Sequence, residues 1–315
     1  SFMENLPKLI IIPYDGSKNA LNSLDYLGFI YGAKHNLKVI LLYVLPSPPS
    51  ILADDISIDK QNWARLTAVE KKHTIMAERM LAEARTMLVK KGFEEERIQT
   101  VFRKKEKGIA RDICRFSQNK QADAVLITRR GRTKFEDFFM GEISSNLVEY
   151  CRTSPVWIID GPPPETKALV CVDSSENALR AVDHAGFMLS GTECRITLFH
   201  TMRHLRRFVP LEALEAAPDL EKLWKKKEGQ QLAPYMEKAR NILLNAGLPE
   251  DRINTKIVEG SRSPADDILK EARDNNYGTI VLGRRGLSAV KGFFMGSVTS
   301  KILNRAVGLA TWIIQ

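Results

Sequence analysis

The chain repeats itself once, at domain scale. Arg129, Arg130 and Gly131 return as Arg284, Arg285 and Gly286, and Phe138, Phe139, Met140 and Gly141 return as Phe293, Phe294, Met295 and Gly296. Trp157, Ile158 and Ile159 come back as Trp312, Ile313 and Ile314, and Arg97 with Ile98 as Arg252 with Ile253, all at an offset of 155. Nearer the start the offset drifts, with Asp15 matching Asp173 at 158 and Val39 matching Ile196 at 157. Small length changes between the motifs account for the drift, whereas chance does not hold one offset across four motifs. A period of this size is a domain and not a solenoid unit. At 315 residues one hydrophobic core also usually gives way to two. The reading is a first domain over 3–160, a joint over 161–166 and a second domain over 167–315. Gly161, Pro162, Pro163 and Pro164 mark the joint, because consecutive prolines continue neither a helix nor a central strand. Ser1 and Phe2, ahead of Met3, read as an expression remnant and are set aside.

Within each half, apolar β-rich runs alternate with amphipathic stretches. The pattern predicts strands over Leu9 to Tyr14, Val39 to Val44, Ile98 to Phe102, Ala124 to Thr128 and Pro155 to Ile159. The second set is Ala168 to Asp173, Arg195 to Thr201, Asn254 to Val258, Thr279 to Gly283 and Ala310 to Ile314. Helices are predicted over Asn19 to Ala33, Trp63 to Lys91, Ile109 to Asn119, Ala178 to Leu189, Lys226 to Ala246 and Ala265 to Asn275. Ser263 followed by Pro264 is a helix start, a hydroxyl cap ahead of a proline at the first helical position. Strand and helix in alternation imply a parallel sheet covered on both faces, since parallel crossovers need long connections. Pro46 to Asn62 and Met202 to Trp224, rich in proline, serine and charge, read as mobile segments.

Composition excludes several classes. With 44% hydrophobic and 27% charged residues the chain is neither collagen-like nor disordered. No apolar run approaches the ~20 residues needed to span a bilayer, so no membrane partner is expected. The net charge of +9 permits acidic ligands, but polybasic tracts and aromatic stacking motifs are missing, so nucleic acid is not the expected partner. Cys114, Cys151, Cys171 and Cys194 show no paired spacing and no accompanying histidines, which argues against both a disulfide frame and a zinc site. A reducing cytoplasm fits that usage.

In open parallel sheets ligands sit at the carboxyl ends of the strands. In the second half Asp173 ends the first strand, Thr201 the second and Gly283 the fourth. After Gly283 come Arg284, Arg285 and Gly286, then nine residues, then Gly296, Ser297, Val298, Thr299 and Ser300 at the start of a helix. Glycines let backbone approach an anion, and a helix start supplies free N–H groups, a positive dipole end and hydroxyls. The spacing predicts a phosphate cradle suited to a nucleotide.

That spacing, with the runs IPYDGSKNA and CVDSSENAL around Asp15 and Asp173, resembles the ATP-binding signature of the universal stress protein (UspA-like) family. Both halves are covered almost end to end, so the chain resembles a tandem universal stress protein. The resemblance implies an adenine nucleotide alpha hydrolase-like α/β fold: two doubly wound domains, each with a five-stranded parallel sheet of order 3-2-1-4-5. It implies ATP, accompanied by Mg, as ligand. By the same resemblance Asp173 and Thr201 hold the adenosine end, Gly283 and Gly286 line the ribose and phosphate path, and Gly296, Ser297, Val298 and Thr299 grip the phosphates. It also implies that the two last strands, bearing Trp157 and Trp312, meet as an intrachain pseudo-dimer, with simple core packing as the other reading. A further homodimer and protein partners stay open.

The first half departs from the signature. Thr128 stands where the second half has Gly283, and Glu142 where it has Ser297, while Asp15, Val44, Gly131, Gly141 and Ser144 remain to line an altered pocket. A carboxylate about 4 Å from a phosphate, at an effective dielectric of 20, costs roughly 4 kcal/mol before screening. That is about three decades of affinity. One competent site, in the second half, is expected.

Each residue also has a structural reading. Asp15 and Asp173 can cap helices or make Asx turns, and Gly296 with Ser297 and Thr299 can be a plain helix start. Arg284 and Arg285 can steer phosphate, but as exposed loop side chains they read first as solvated, as do Arg129, Arg130, Arg132 and Lys134, and His200 reads as a packed residue with no catalytic role. No P-loop, no GxGxxG after the first strand and no GxSxG elbow occur, so no catalytic residues are assigned and hydrolysis, if any, is slow. The leading function is a nucleotide-binding stress-response or signalling module. The alternative is a nucleotide-independent interaction scaffold.

Overall fold

Each half builds the same alternation of strands and helices in the computed structural model, which describes residues 6–32, 35–48, 59–130, 141–261, 263–286 and 295–315. The first runs β1 (Lys8–Pro13), α1 (Leu21–Tyr31), β2 (Leu37–Leu45), α2 (Lys60–Lys90), β3 (Ile98–Lys104), α3 (Ile109–Asn119), β4 (Ala124–Thr128), α4 (Glu142–Tyr150) and β5 (Val156–Ile159). The second runs β6 (Lys167–Cys171), α5 (Glu176–Leu189), β7 (Arg195–Met202), α6 (Leu211–Leu214), α7 (Leu220–Asn245), β8 (Ile253–Glu259), α8 (Pro264–Asp274), β9 (Thr279–Gly283), α9 (Ser297–Arg305) and β10 (Ala310–Ile314).

Strand order is β3-β2-β1-β4-β5 in the first half and β8-β7-β6-β9-β10 in the second, the order the resemblance implies. Pairing is parallel, with Ile10 opposite Val39 and Val39 opposite Ile98, and in the second half Ala168 opposite Ile196 and Ile196 opposite Ile253. Central strands read as unbroken apolar runs because helices cover both faces. Ile10, Ile11 and Ile12 of β1 and Ile280 and Val281 of β9 are all fully buried.

The strands follow the sequence pattern to within about two residues at each end. Helix starts follow their caps. Ser263 Oγ accepts the Asp266 amide at 3.1 Å ahead of Pro264, and Ser175 Oγ accepts the Ala178 amide at 3.2 Å. The segment Met202 to Trp224 has regular structure of its own. It holds a 3-10 turn over Leu205–Arg207, helix α6 and the first turn of α7. Trp224 Nε1 donates to the Arg203 carbonyl at 2.8 Å, and the Glu221 carboxylate accepts from the Leu205 amide and faces His204, each at 3.0 Å. These polar residues find partners within the segment, which composition does not reveal. Of Pro46 to Asn62, residues 49–58 lie outside the described set.

Contacts divide the chain into two compact units. The first covers Pro7–Gly28 and Gly32–Val156; the second covers Trp157–Gln315 and takes in Phe29–Tyr31. In the second unit Trp157 lies on Trp312 with ring centroids 3.6 Å apart and planes 3° from parallel. Both indoles are fully buried, and Trp157 Nε1 donates to His184 Nε2 of α5 at 3.0 Å. Tyr31 reaches the same unit, donating its hydroxyl to the Met188 carbonyl at 2.9 Å.

The cysteine reading needs correction. Cys114 of α3 and Cys151, just after α4, form a disulfide with Cα atoms 5.5 Å apart. They are 37 residues apart, so no local motif announces the pair; the packing of α3 on α4 creates it. At the corresponding places the second unit has Leu269 and Ala306, two buried apolar residues in place of the bonded pair.

Candidate functional site

All eight residues singled out in the second half, Asp173, Thr201, Gly283, Gly286, Gly296, Ser297, Val298 and Thr299, line one cavity of about 100 Å³. It lies past the carboxyl ends of β6, β7 and β9, against the start of α9.

The half-buried Asp173 carboxylate bonds the hydroxyl of Ser175, the residue that caps α5. A Cβ on Gly286 would stand 2.5 Å from Asp173 Oδ2, so glycine there is what lets the carboxylate occupy its place. Gly283 has a different reason. Its Cβ would meet the Asn177 carbonyl at 2.9 Å, so it serves the close packing of β9 on the first turn of α5. Thr201 is buried and donates its hydroxyl to Asp267 Oδ2 of α8 at 2.9 Å. The Thr299 hydroxyl donates to the Gly283 carbonyl at 2.9 Å, tying α9 to the end of β9.

The start of α9 faces the cavity uncapped. Gly296 precedes it without a side-chain cap, in contrast to Ser263 and Ser175 at α8 and α5. Gly296 spends its own N–H on the Arg284 carbonyl at 2.9 Å, and its carbonyl accepts from Ser300 at 2.9 Å. The amides of Ser297, Val298 and Thr299 therefore have no intrahelical acceptor and carry the positive end of the helix dipole. A Cβ on Gly296 would meet nothing closer than 3.5 Å, so glycine here leaves space and is not forced by packing.

Cations flank this helix start. Arg203 and Arg285 line the cavity, and a neighbouring bay of about 300 Å³ shares Arg203, Pro264, Ser297 and Val298 with it and adds Arg207 and Lys301. Arg203, Arg207 and Lys301 were not marked in the sequence; only their placement after β7 and within α9 brings them here. Arg284, read as solvated, is 5% exposed: its amide donates to the Ile314 carbonyl at 2.6 Å, drawing the residue in beside β10. Arg129 is likewise buried, while Arg132 and Lys134 lie outside the described residues. His200 is packed as expected, its ring nitrogens 2.7 Å from the Val172 carbonyl and 3.3 Å from Glu228 Oε1. Cys171 also lines the cavity, and burial followed by the nearby Asp173 charge pushes its thiol pKa up, so it stands as a neutral thiol.

The first unit keeps a cavity at the equivalent place, lined among others by Asp15, Val44, Thr128, Gly141, Glu142 and Ser144, and larger at about 290 Å³. Asp15 Oδ1 accepts the Ser17 amide at 2.9 Å, an Asx turn. Thr128 donates to the Arg130 carbonyl at 2.9 Å, and Ser144 to the Thr128 carbonyl at 2.7 Å, the counterpart of Thr299 on Gly283. Gly131 lies outside the described residues.

Residues 7–160 and 166–307 each match the universal stress protein family profile. The chain belongs to the universal stress protein family. Its two Usp domains stand in tandem. Over 148 residues it is 25% identical to universal stress protein YxiE of Bacillus subtilis (strain 168), a match covering 43% of this chain and 90% of the relative. A crystal structure of a universal stress protein from Archaeoglobus fulgidus DSM 4304 superposes with a TM-score of 0.63 at 19% identity, covering 97% of each chain. A functionally unknown protein from Pseudomonas aeruginosa PAO1 follows at 0.53 and 15% identity, covering 99% of this chain and 93% of that one. At these identities the structural likenesses speak for the fold. Among the described residues of this Usp protein, no helix is long and apolar enough to cross a membrane, and no group of three or more His, Cys, Asp or Glu stands together as a metal site.

Proposed function

We propose that the second Usp domain binds an adenine nucleotide, ATP, and that the protein is a cytoplasmic stress-response or signalling module with at most slow hydrolysis. The observation that carries this reading is the uncapped start of α9 opening, through Gly296, onto the cavity that holds Asp173 and Gly286. Its three free amides suit phosphate oxygens. The cavity of about 100 Å³ is below the 300 Å³ or so of a typical small-molecule pocket, so it takes one end of the ligand. The phosphates then lie toward the bay of Arg203, Arg207 and Lys301. Mg enters this reading as the companion of those phosphates. A nucleotide that orders the surface around Gly286 and Gly296 changes what protein partners meet.

The scaffold alternative draws on one observation: Thr201, Gly283 and Thr299 are all engaged in internal packing. Melting with and without Mg-ATP separates the two, since ligand at one hundred times its Kd adds about 2.7 kcal/mol to a binding protein. A rise in Tm, with nucleotide carried through purification, supports binding; no shift and no carried nucleotide favours the scaffold. Gly296→Asp sharpens the test, because that site accommodates a Cβ and the variant places negative charge at the helix start. Binding is expected to disappear in it, and unchanged affinity would remove the site from this position.

A further inference from the structure

Of the two equivalent strand-end cavities, the larger belongs to the domain that lacks the signature. Aligned with the second unit, its wall gains a hydroxyl, Thr128 for Gly283, and at other positions loses polar groups or turns acidic. Val44 stands for Thr201, Pro46 for Arg203, Ile109 for Pro264 and Glu142 for Ser297. A hydroxyl, a cation and a second hydroxyl give way to two apolar groups and a carboxylate. Among the described residues lining the first-unit cavity there is no lysine or arginine, whereas Asp15 and Glu142 are both there. Glu142 is the first residue of α4, so its charge also offsets the positive end of that helix. The start of α4 is uncapped like that of α9, so an anion there meets the same kind of amides but a carboxylate where the second unit offers serine and arginine.

From this contrast we infer that the first-unit cavity is a separate binding site for an uncharged, largely apolar small molecule, an aromatic ring system with at most a polar edge, and that it rejects phosphates. About 290 Å³ holds such a ring. The apolar wall of β2, α3 and β4 supplies the affinity by removing the ring from water. Glu142, which replaces Ser297, supplies the selection against anions, since Asp15 has its counterpart in Asp173. The site stands whether or not the second domain binds nucleotide, and its ligands differ, so the two readings fail separately.

Three matched probes test it: 2-naphthalenemethanol, 2-naphthoate and ATP, followed by saturation-transfer NMR and titration on the full chain. The neutral alcohol is expected to bind, with naphthoate at least tenfold weaker. Ile143→Trp crowds the cavity from a position 39% exposed, where folding tolerates the change, and is expected to weaken the alcohol at least tenfold. Ile109→Phe on α3, half-buried, gives the same readout should Ile143→Trp lower the Tm. Glu142→Ser is expected to close the gap between alcohol and naphthoate while leaving the alcohol unchanged. Absence of alcohol binding overturns the proposal, as does binding insensitive to both crowding variants. So does naphthoate binding as tightly as the alcohol in the unaltered protein. Gly296→Asp, which acts on the second unit, leaves the alcohol unaffected if the sites are separate; loss of alcohol binding in it also overturns the assignment.

Discussion

The carboxylate of Asp173 occupies the space a side chain on Gly286 would need, with Oδ2 2.5 Å from the position of that Cβ. Gly286→Ala therefore pushes Asp173 aside and breaks its bond to the Ser175 hydroxyl. The carboxylate is the far end of a short side chain, so the fold yields at small cost while the cavity changes shape. Nucleotide affinity is expected to fall about tenfold, or about 1.4 kcal/mol, with little change in Tm. Gly283→Ala should do the reverse. Its Cβ meets backbone, the Asn177 carbonyl at 2.9 Å, and overpacking of that kind costs about 1–3 kcal/mol of stability. Isothermal titration and thermal melting of the two variants check the contrast; a Gly286→Ala protein with unchanged affinity would contradict the role given to Asp173.

Thr201 carries a second distinction between holding the fold and holding a ligand. Its hydroxyl and that of Ser261 both reach the buried Asp267, at 2.9 and 2.8 Å, and the Ser261 amide adds a third bond at 3.2 Å. In the first unit Val44 has no hydroxyl, and the corresponding Asp112 takes the amides of Glu106 and Lys107 instead, the nearer at 2.7 Å. Thr201→Val should thus cost about 1–2 kcal/mol of stability, the usual penalty for removing one partner of a buried polar group. Affinity for nucleotide should change less than twofold, measured by titration at a temperature where the variant is folded.

Much of this architecture is legible in the sequence because its signals are local. Buried parallel strands must be apolar runs, and Ser263 with Pro264 states a helix start in two residues. That Gly286, Gly296 and Asp173 gather around one cavity is legible too, since none of them needs side-chain geometry to be placed at the carboxyl edge. What escaped depends on partners distant in the chain. Nothing beside Gly283 says that Asn177 lies against it, nothing beside Thr201 names Asp267, and Arg284 looks like any loop arginine until β10 is set alongside. The pairing of Cys114 with Cys151 was misread for the same reason.

That disulfide closes a loop of 37 residues between α3 and the end of α4. On the chain-entropy account a crosslink of that span stabilises by roughly 3–4 kcal/mol, by restricting the unfolded chain. The second unit shows a packing-compatible replacement, so Cys114→Leu with Cys151→Ala keeps both places apolar while deleting the bond. The double variant should melt well below the oxidised protein and close to the reduced one. Melting curves with and without dithiothreitol check this; a Tm indifferent to reductant and to the substitutions would show that the bond adds nothing to stability.

His184 gives the fold a pH dependence of its own. Its ring meets both indoles edge-on, 5.8 Å from each centroid, and its Nε2 accepts the Trp157 N–H, which only a neutral imidazole can do. Burial among these rings lowers its pKa from 6.5 to about 3. Between those values the unfolded chain binds a proton that the folded chain refuses. Stability from this group is therefore complete above pH 6.5 and declines as pH falls toward 3. With the residue partly exposed at its edge, the loss by pH 5 should be about 1–2 kcal/mol. His184→Gln keeps an acceptor for Trp157 and removes the titration. Its Tm should therefore change less between pH 7 and pH 5 than that of the parent protein, while carboxylates common to both cancel in the difference. Parallel pH profiles of the two proteins would refute this assignment.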